Sequence, residues 1–461
     1  MTRPVLLASF TGAALGLAGL RLAEMPPRWV AGALVVAWVT AGVLATQRVA
    51  RATLAVFTFS LQLGLALYLT EPAASSVGFS WPNAVALPVA SLTALAALAT
   101  AAASRRGPWL WGGGVAVTTA LLALTTAASI LATPVRRISV AHLVLLAAYF
   151  VIFLAAANAV QEARDLRLVL GVLTGSLALQ SLAYFAQGWT GATFTLSGDW
   201  VEPSEEGWAR FGGTVGTRPA AFSSFLLPLL LLAVAGLLAA RQGWSRLRLG
   251  LAASAGLAAL ILTYTRASWA GFALGFAYLL AAGARRRMWN RRNTAVVVAM
   301  LLVVSLALAP RILRRVTVDH AAAFEERWDL IRMALRVIEA HPLTGAGAGA
   351  YPYVFRNYLT PELADRWLFV VHNAYLLRAA ETGLPGLAAL LLFLAVIFRR
   401  ASPERLPSRA RLLGLGCRAG ILAMAWEMLW DISLGPAAMG LMWFLAGITT
   451  AARKLEGTER C

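Results

Sequence analysis

The stretch from Glu325 to Pro385 reads EERWDLIRMALRVIEAHPLTGAGAGAYPYVFRNYLTPELADRWLFVVHNAYLLRAAETGLP. It is a long polar interruption in a chain that is 59% hydrophobic and only 13% charged. A soluble domain carries roughly 25% charged residues, so the rest of the chain is typical of membrane spans. Because lipid leaves no partner for free backbone groups, the sequence predicts an all-α polytopic membrane protein into which this stretch is inserted.

Apolar runs of spanning length lie on both sides of the stretch, and a span needs roughly 20 residues. We expect about 12–14 transmembrane helices. The two runs on either side of Arg266 are short, which leaves open whether they are two spans or one broken hairpin. The runs are 4–22, 29–46, 52–70, 83–103, 109–132, 138–160, 166–187, 219–240, 248–265, 267–283, 294–310, 384–398, 412–430 and 433–451.

Alternate loops are rich in arginine, which indicates cytoplasmic loops and sets the orientation of the helices. With the N-terminus in the cytoplasm, two long segments face outward, 188–217 and 311–383. We therefore expect a transmembrane bundle over 1–310 that includes the first of these. A large periplasmic loop subdomain follows over 311–383, and C-terminal spans with a cytoplasmic tail cover 384–461.

The outer loop contains a predicted helix over 324–340, which Pro342 ends. Helical spacing places Trp328, Ile331, Leu335 and Ile338 on one face of it.

The net charge of +19 is what topology alone produces in a protein with arginine-rich cytoplasmic loops, so it does not indicate nucleic acid. Cys417 and Cys461 are far apart and form neither a disulfide framework nor a metal-ligand spacing. The chain also lacks HExxH and clustered histidines or cysteines. We therefore expect no metal, no cofactor and no nucleic-acid partner.

Several arginines lie on the outward side, where the topology rule does not predict them. A charge in or near the membrane is costly, and guanidinium groups bind phosphate well, so converging arginines indicate an anionic ligand. For each of them, an interfacial arginine that extends to the membrane surface is the alternative. They are Arg136 and Arg137, Arg210 and Arg218 around GGTVGT, Arg266 in TYTRASW, and Arg311, Arg314 and Arg315.

His372 is the candidate for chemistry among the four histidines. It lies where the outer loop re-enters the membrane, and a side chain with an unperturbed pKa of about 6.5 is able to take a proton from a hydroxyl. Asn373 would orient it or its substrate. In isolation, a buried histidine bonded to a carbonyl is the alternative. His341 is interpreted as structural, and His142 is compatible with either role.

The glycines of LTGAGAGAY lack a preceding strand and a Gly-Lys-Ser/Thr sequence, so they indicate a tight turn rather than a nucleotide loop. Glu427 and Asp431 in WEMLWDIS lie at the end of a span and are expected either to pair with an arginine or to face a proton path.

Taken together, these segments resemble the O-antigen ligase and polymerase superfamily. That family's pattern is an arginine-bearing helix, then HP-x-x-G-x-G and a phenylalanine, an HN pair, and E-x-G-x-x-G before the next span. The RFGGTVGTRPAAFSSFLLP and TYTRASWAGF segments resemble two further family motifs, whereas Ala350-Tyr351 departs from the usual aromatic placement. The matching residues cover roughly the C-terminal half: Arg327, His341, Pro342, Gly345, Gly347, Phe355, His372, Asn373, Glu381, Gly383 and Gly386.

The resemblance implies a multi-span glycosyltransferase of GT-C type in the bacterial inner membrane, with a metal-independent site on the periplasmic side. Its donor would be an undecaprenyl-pyrophosphate-linked glycan and its acceptor lipid A–core, in contact with membrane lipids. His372 would deprotonate the acceptor hydroxyl, and transfer would invert the anomeric carbon. The donor and sugar contacts would come from Arg218, Arg266, Arg210, the Arg136–Arg137 pair, Arg327, Asn373 and Arg378, the last with a packing role as the alternative.

Ligase is favoured over polymerase, which shares these motifs. A lipid-linked anion transporter and a transferase that glycosylates protein remain open. A transporter would be expected to show matched halves with broken helix pairs, which this sequence does not display.

Overall fold

The computed structural model describes residues 49–68, 86–104, 108–191, 210–215, 218–240, 243–317, 321–359, 370–406, 410–432 and 435–455. Two compact units divide the chain, Met1–Thr53 and Leu54–Cys461, and apart from residues 49–53 the features below belong to the second. The predicted spans 4–22 and 29–46 lie outside the described residues, and so does His320, the fourth histidine, which is expected in a solvated loop.

The described part is almost entirely helical. One small antiparallel pair, β1 (Ala66–Tyr68) and β2 (Ala86–Pro88), sets Leu67 opposite Leu87. Short 3-10 helices cover Phe355–Tyr358 and Pro403–Arg405. The α-helices are α1 (Val49–Ser60), α2 (Val89–Ser104), α3 (Gly114–Ala132), α4 (Arg136–Ala159), α5 (Ala163–Thr190), α6 (Pro219–Ala239), α7 (Gly243–Leu262), α8 (Arg266–Arg285), α9 (Arg291–Ala307), α10 (Ala309–Thr317), α11 (Ala321–Ala340), α12 (Tyr351–Val354), α13 (Ala374–Arg400), α14 (Arg411–Glu427) and α15 (Pro436–Lys454).

The predicted class, an all-α multi-span membrane protein, is confirmed. Within the described ranges, seven helices are long and apolar enough to cross a membrane. The number rises to eight if α9 and α10, which meet at a bend of 65°, form one broken span.

Some predicted spans differ from the observed elements. The run 52–70 is helical only to Ser60 and then enters β1, and the run 83–103 begins with β2 before α2. The two runs around Arg266 are two separate helices, each of spanning length, so the broken-hairpin alternative is wrong. The last outer-loop residues join α13, whose Gly383 has non-helical backbone angles, and the predicted span 384–398 corresponds to the part after that break.

Local signals explain several helix ends. At the start of α5 the Asp165 carboxylate accepts the N–H groups of Gln161 and Glu162, which forms a capping box. Gly191 ends the same helix in the left-handed region, and its N–H donates to Gln187. Proline begins α6 at Pro219, where a missing N–H costs nothing.

The main core lies between the long helices. Helix α14 packs against α6 and α8, α15 packs against α4, and α13 packs against α3. Glycines permit close approach at these crossings: a Cβ at Gly275 of α8 would lie 3.0 Å from the Ala419 carbonyl oxygen of α14. This arrangement leaves four helices, α5, α6, α7 and α14, in one contiguous group.

A second, smaller core joins the outer loop to the start of α13. It is built on Leu330, Met333, Ala334 and Val337 of α11. The predicted face of this helix is therefore wrong, because Trp328 is 49% exposed and Leu335 is 43% exposed. The buried face is shifted by one residue toward the helix start, to Leu330, Ala334 and Val337, and the small Ala334 gives a weak signal in a pattern of large apolar residues.

Candidate active site

The break between α7 and α8 is the centre of the site. Here Tyr264 has a positive φ of 55°, which is uncommon for a residue with a side chain. Arg210 Nε donates to the Thr263 carbonyl at 2.9 Å, and Arg315 Nε donates to the Tyr264 carbonyl at 3.3 Å. The Tyr184 hydroxyl donates to the Leu262 carbonyl at 2.6 Å. Side chains from α5, α10 and the segment before α6 thus hold the turn.

Arginines from distant parts of the sequence meet at this turn. Arg266, the first residue of α8, follows it directly and is exposed. Arg210 and Arg315 bond its carbonyls, and Arg210 and Arg311 lie within electrostatic range of the Tyr184 hydroxyl. The structure therefore brings Arg210 to the start of the Arg266 helix, together with two arginines of α10.

Arg218 lies at the same end of the bundle, since it immediately precedes α6. Ser223 of α6 and Ser268 of α8 are hydrogen-bonded at 2.8 Å, so the two helices begin side by side and run in the same direction. Arg218 and Arg266 are therefore the first charged residues of two adjacent, parallel helices, and both are exposed.

The segment between Arg210 and Arg218 is fixed by two glutamines of α5. Gln180 bonds the Thr214 hydroxyl at 2.6 Å, and Gln187 donates to the Gly213 carbonyl at 2.9 Å. Gly213 has a φ of 59°, and a Cβ there would lie 2.5 Å from the Phe222 ring. Polar side chains inside a span hold this segment in place, and the sequence pattern alone did not identify them.

His372 and Asn373 are tied to the corner that follows α14. The Asn373 side chain caps α13 by accepting the N–H groups of Tyr375 and Leu376, and its amide donates to the Leu429 carbonyl at 3.1 Å. The N–H of the next residue, Ala374, donates to the Met428 carbonyl at 2.8 Å. These bonds fix the backbone that carries the half-buried His372. A direct contact of Asn373 with substrate stays a prediction.

The same corner connects to the helix of Arg266. Glu427, the last residue of α14, is buried and accepts a hydrogen bond from Ser268, which lies two residues after Arg266. Pairing of Glu427 with an arginine, one of the two expectations, is not what the described residues show. The hydrogen bonds Ser223–Ser268 and Ser268–Glu427 join the ends of α6, α8 and α14. We call these three residues the serine–carboxylate cluster.

The glycine-rich turn over 344–350 is docked on the bundle. Gly345, Gly347 and Gly349 all have positive φ. The N–H groups of Ala346 and Gly347 donate to the carbonyls of Ala380 and Glu381, each at 2.9 Å. The N–H of Ala348 donates to Ser129 at 3.1 Å. These backbone N–H groups already donate to acceptors within the protein, which agrees with a tight turn rather than a phosphate loop.

The Glu381 side chain anchors this turn. Its buried carboxylate accepts the N–H groups of Gly349 and Tyr351. Burial, with Glu381 nearby, raises the pKa of the Tyr351 hydroxyl. We call Glu381 and the turn residues that it holds the turn anchor.

Arg378 lies near the turn anchor rather than with Arg210, Arg218 and Arg266. Its guanidinium donates to Thr126 at 2.9 Å and to the Leu122 carbonyl at 3.3 Å, both on α3. It also lies within electrostatic range of Glu381 and His142. The packing role, held open from the sequence, is therefore the one that these contacts favour.

The remaining predicted residues lie elsewhere on the outer side. Arg136 and Arg137 begin α4 and are exposed, one turn before Ser139, whose hydroxyl donates to the Ala348 carbonyl of the turn at 2.8 Å. Arg327 is exposed on α11. Contact of these three arginines with ligand stays a prediction.

His341 is in a structural position, as interpreted. Its Nε2 lies 2.6 Å from the Tyr358 hydroxyl at the edge of the outer-loop core. Over the described residues, no group of three or more histidines, cysteines or carboxylates is arranged to hold a metal ion.

These features define a polytopic helical membrane protein in which several arginines and His372 occupy the same end of the bundle. Residues 249–391 match a family model described as O-antigen ligase. The match confirms the resemblance to the O-antigen ligase and polymerase superfamily over these residues, and members of this family are glycosyltransferase-like enzymes. The match includes Arg266 and His372, whereas Arg210 and Arg218 precede it. No curated protein matches the chain.

Proposed function

We propose that the protein is an O-antigen ligase that transfers a polysaccharide from undecaprenyl pyrophosphate to a lipid A–core hydroxyl. The reaction would take place at the periplasmic face of the bacterial inner membrane. The observation that carries this proposal is the arrangement around the Thr263–Tyr264 turn. Arg210 bonds this turn, Arg266 follows it, and the serine–carboxylate cluster links it to the corner that fixes His372.

The binding site for the donor is formed by Arg210, Arg218 and Arg266. A pyrophosphate carries several negative charges, and Arg210, Arg218 and Arg266 approach one end of the bundle from three segments of the chain. Guanidinium groups bind phosphate oxygens bidentately. As the glycosidic bond to the pyrophosphate breaks, charge grows on the leaving group, and fixed cations there stabilise the transition state without a metal.

His372 acts as the general base. The acceptor hydroxyl loses its proton to the imidazole while its oxygen attacks the anomeric carbon of the donor sugar. The bond from that carbon to the pyrophosphate oxygen breaks, undecaprenyl pyrophosphate leaves with the electron pair, and the anomeric configuration inverts. Asn373 positions the base, because its side chain fixes the start of α13.

The outer segments complete the site in this proposal. Residues 311–383 form a periplasmic subdomain that covers the cleft, with Arg327 near sugar or phosphate. Arg136 and Arg137 lie beside the docked glycine turn, where they would meet the glycan or the pyrophosphate. Arg378 supports the site from within the bundle, through its bonds to α3.

The direct test is expression in a bacterial strain that lacks its own ligase, followed by gel analysis of lipopolysaccharide. The wild type should restore ladder-like bands. His372→Ala should reduce transfer by about 10²–10⁴-fold, the usual contribution of a general base. Transfer that is unchanged in this variant would refute the mechanism.

A matched pair of variants tests the donor site. Arg266 and Arg285 are the first and last residues of α8, and both are exposed. Arg266→Ala should weaken binding of a labelled undecaprenyl-pyrophosphate glycan, whereas Arg285→Ala should leave it unchanged. Equal binding by both variants would exclude Arg266 from the donor site.

Polymerase is separated from ligase by a second strain. If the core stays bare in the ligase-deficient strain, the same variants are expressed in a polymerase-deficient strain. A ladder there would assign the chain to polymerases and keep the site. No ladder in either strain, with the protein inserted in the membrane, would favour a protein acceptor or a transporter.

A further inference from the structure

A leucine-lined cavity lies among α5, α6, α7 and α14, with a volume of about 200 Å³. Its walls include Leu166 and Leu170 of α5, Gly236 of α6, Leu249 of α7 and Leu413 of α14. Thr174 is the one polar residue among those that line it. The cavity therefore suits a hydrocarbon chain rather than a sugar.

The cavity lies at the opposite end of the bundle from the candidate active site. Helices α5 and α7 contribute residues near their starts to the cavity, and reach the site at their ends through Gln187 and Leu262. Helix α6 does the reverse, with Gly236 at the cavity and Ser223 at the site. The two locations thus lie toward opposite ends of these helices.

Exposed arginines lie close in sequence to the residues that line the cavity at this end. Three lining leucines from three different helices each have an exposed arginine as a direct sequence neighbour. These arginines are Arg167 beside Leu166, Arg248 beside Leu249, and Arg411 beside Leu412.

The nearby acidic groups do not cancel this charge. The Asp165 carboxylate is buried and is used to cap α5, where it accepts two backbone N–H groups. Glu162 is the exposed carboxylate at that helix start. The rim therefore keeps a net positive charge beside an apolar cavity.

We propose that this cavity binds one anionic diacyl phospholipid, with an acyl chain between the leucines and the phosphate against Arg167, Arg248 and Arg411. An acyl chain in the cavity would cover its exposed apolar wall. Basic pockets between transmembrane helices on the cytoplasmic side favour anionic head groups. The arginine topology predicts this end to be cytoplasmic, where anionic lipids are the available ligands. The site would be a lipid contact separate from the donor site.

The test is lipid binding to the purified full-length protein in detergent, measured by native mass spectrometry. The probes are phosphatidylglycerol and phosphatidylcholine with identical acyl chains. The wild type should retain one phosphatidylglycerol in preference to phosphatidylcholine. The triple variant Arg167→Gln, Arg248→Gln, Arg411→Gln should bind phosphatidylglycerol about 10- to 100-fold more weakly, because each arginine near a lipid phosphate contributes to binding.

A second triple variant is the matched control for charge. Arg285→Gln, Arg291→Gln, Arg292→Gln removes three exposed arginines around the α8–α9 connection, none of which neighbours a lining residue. This variant should bind phosphatidylglycerol like the wild type. Equal loss in both triple variants, or no loss in the first, would overturn the proposal.

The cavity itself is tested with Gly236→Phe, which fills it from α6. A Cβ at this position would lie 3.4 Å from the nearest atom of Leu249, so the start of the side chain fits. With melting in lipid-free detergent unchanged, the variant should lose retained phosphatidylglycerol. Retention of that lipid, or selective loss of an added polyprenyl phosphate instead, would overturn the assignment.

Discussion

Two buried glutamates, Glu381 and Glu427, both support the outer end of the bundle, but with different partners. Glu381 accepts backbone N–H groups from Gly349 and Tyr351 and lies within electrostatic range of Arg378. Glu427 accepts from the hydroxyl of Ser268, which is itself bonded to Ser223. The Glu381 carboxylate faces groups that only donate hydrogen bonds. The Glu427 carboxylate faces a hydroxyl, which both donates and accepts.

This difference determines how replaceable each side chain is. Backbone N–H groups and a guanidinium group only donate hydrogen bonds. Position 381 in the turn anchor therefore requires a side chain that accepts at a fixed place. A serine hydroxyl rotates and donates or accepts as needed, so the serine–carboxylate cluster should tolerate an amide. The comparison therefore predicts a rigid turn anchor and a more adaptable cluster.

The largest effect is expected from Gly345→Val, which attacks the turn anchor at its backbone. The φ of 67° is unfavourable for a β-branched residue, and a Cβ would lie 2.2 Å from the Glu381 carbonyl carbon, which is backbone and is not free to move away. We expect a loss of at least about 5 kcal/mol, comparable to the whole stability of a marginal domain. Yield of folded protein and thermal melting in detergent would measure it.

Gly171→Ala is the matched control for that variant. A Cβ at Gly171, inside α5, would meet no atom within 4 Å. Alanine should stabilise the helix there by about 0.5–1 kcal/mol. If Gly345→Val melted like the wild type, the turn would not be docked as described.

Glu381→Ala is expected to have the next largest effect. It would leave the N–H groups of Gly349 and Tyr351 without their acceptor and would remove a carboxylate that lies within electrostatic range of Arg378. Leaving a buried donor unsatisfied costs about 1–3 kcal/mol, and two such donors would remain here. The unfolding midpoint in detergent should fall accordingly, and Glu381→Gln should recover only part of it. Full recovery by glutamine would contradict the comparison with Glu427.

Ser139→Ala removes a neutral bond at the edge of the turn anchor. The buried Ser139 hydroxyl donates to the Ala348 carbonyl at 2.8 Å. Leaving that carbonyl unsatisfied should cost about 1–3 kcal/mol, less than the loss of Glu381. Faster proteolysis within the outer loop, with the bundle intact, would be the signature of this local effect.

Glu427→Gln should have the smallest effect on stability, below about 1 kcal/mol. The amide keeps an oxygen to accept from Ser268, and its NH₂ is able to donate to a hydroxyl. Thermal melting checks stability. A loss as large as that of Glu381→Ala would show that the cluster requires a charged carboxylate.

The sequence alone predicted the parts of this molecule that depend on apolar periodicity and on the backbone preferences of glycine and proline. Long apolar runs located α3 to α9 closely, and Pro342 marked the end of α11. The glycines of LTGAGAGAY correctly indicated a turn, because positive φ values favour glycine wherever they occur. The topology rule and the position of His372 supplied the arginines and the histidine as candidates, and the resemblance then implied their roles.

The sequence did not predict which polar groups meet inside the bundle. Hydroxyls such as Ser223 and Ser268 occur throughout apolar spans, and nothing local indicates that two of them face each other. Gln180 and Gln187 likewise give no signal until the segment before α6 folds onto α5. Contacts between distant helices depend on packing, which a periodic pattern does not specify.

The parallel start of α6 and α8, together with the start of α13 at the same corner, has an electrostatic consequence. Each helix N-terminus carries roughly half a positive elementary charge from its aligned peptide dipoles. Three such ends add a positive potential that no side-chain substitution removes. Loss of a single arginine would therefore weaken attraction of an anion without reversing its sign, and residual binding in such variants would be a property of the backbone.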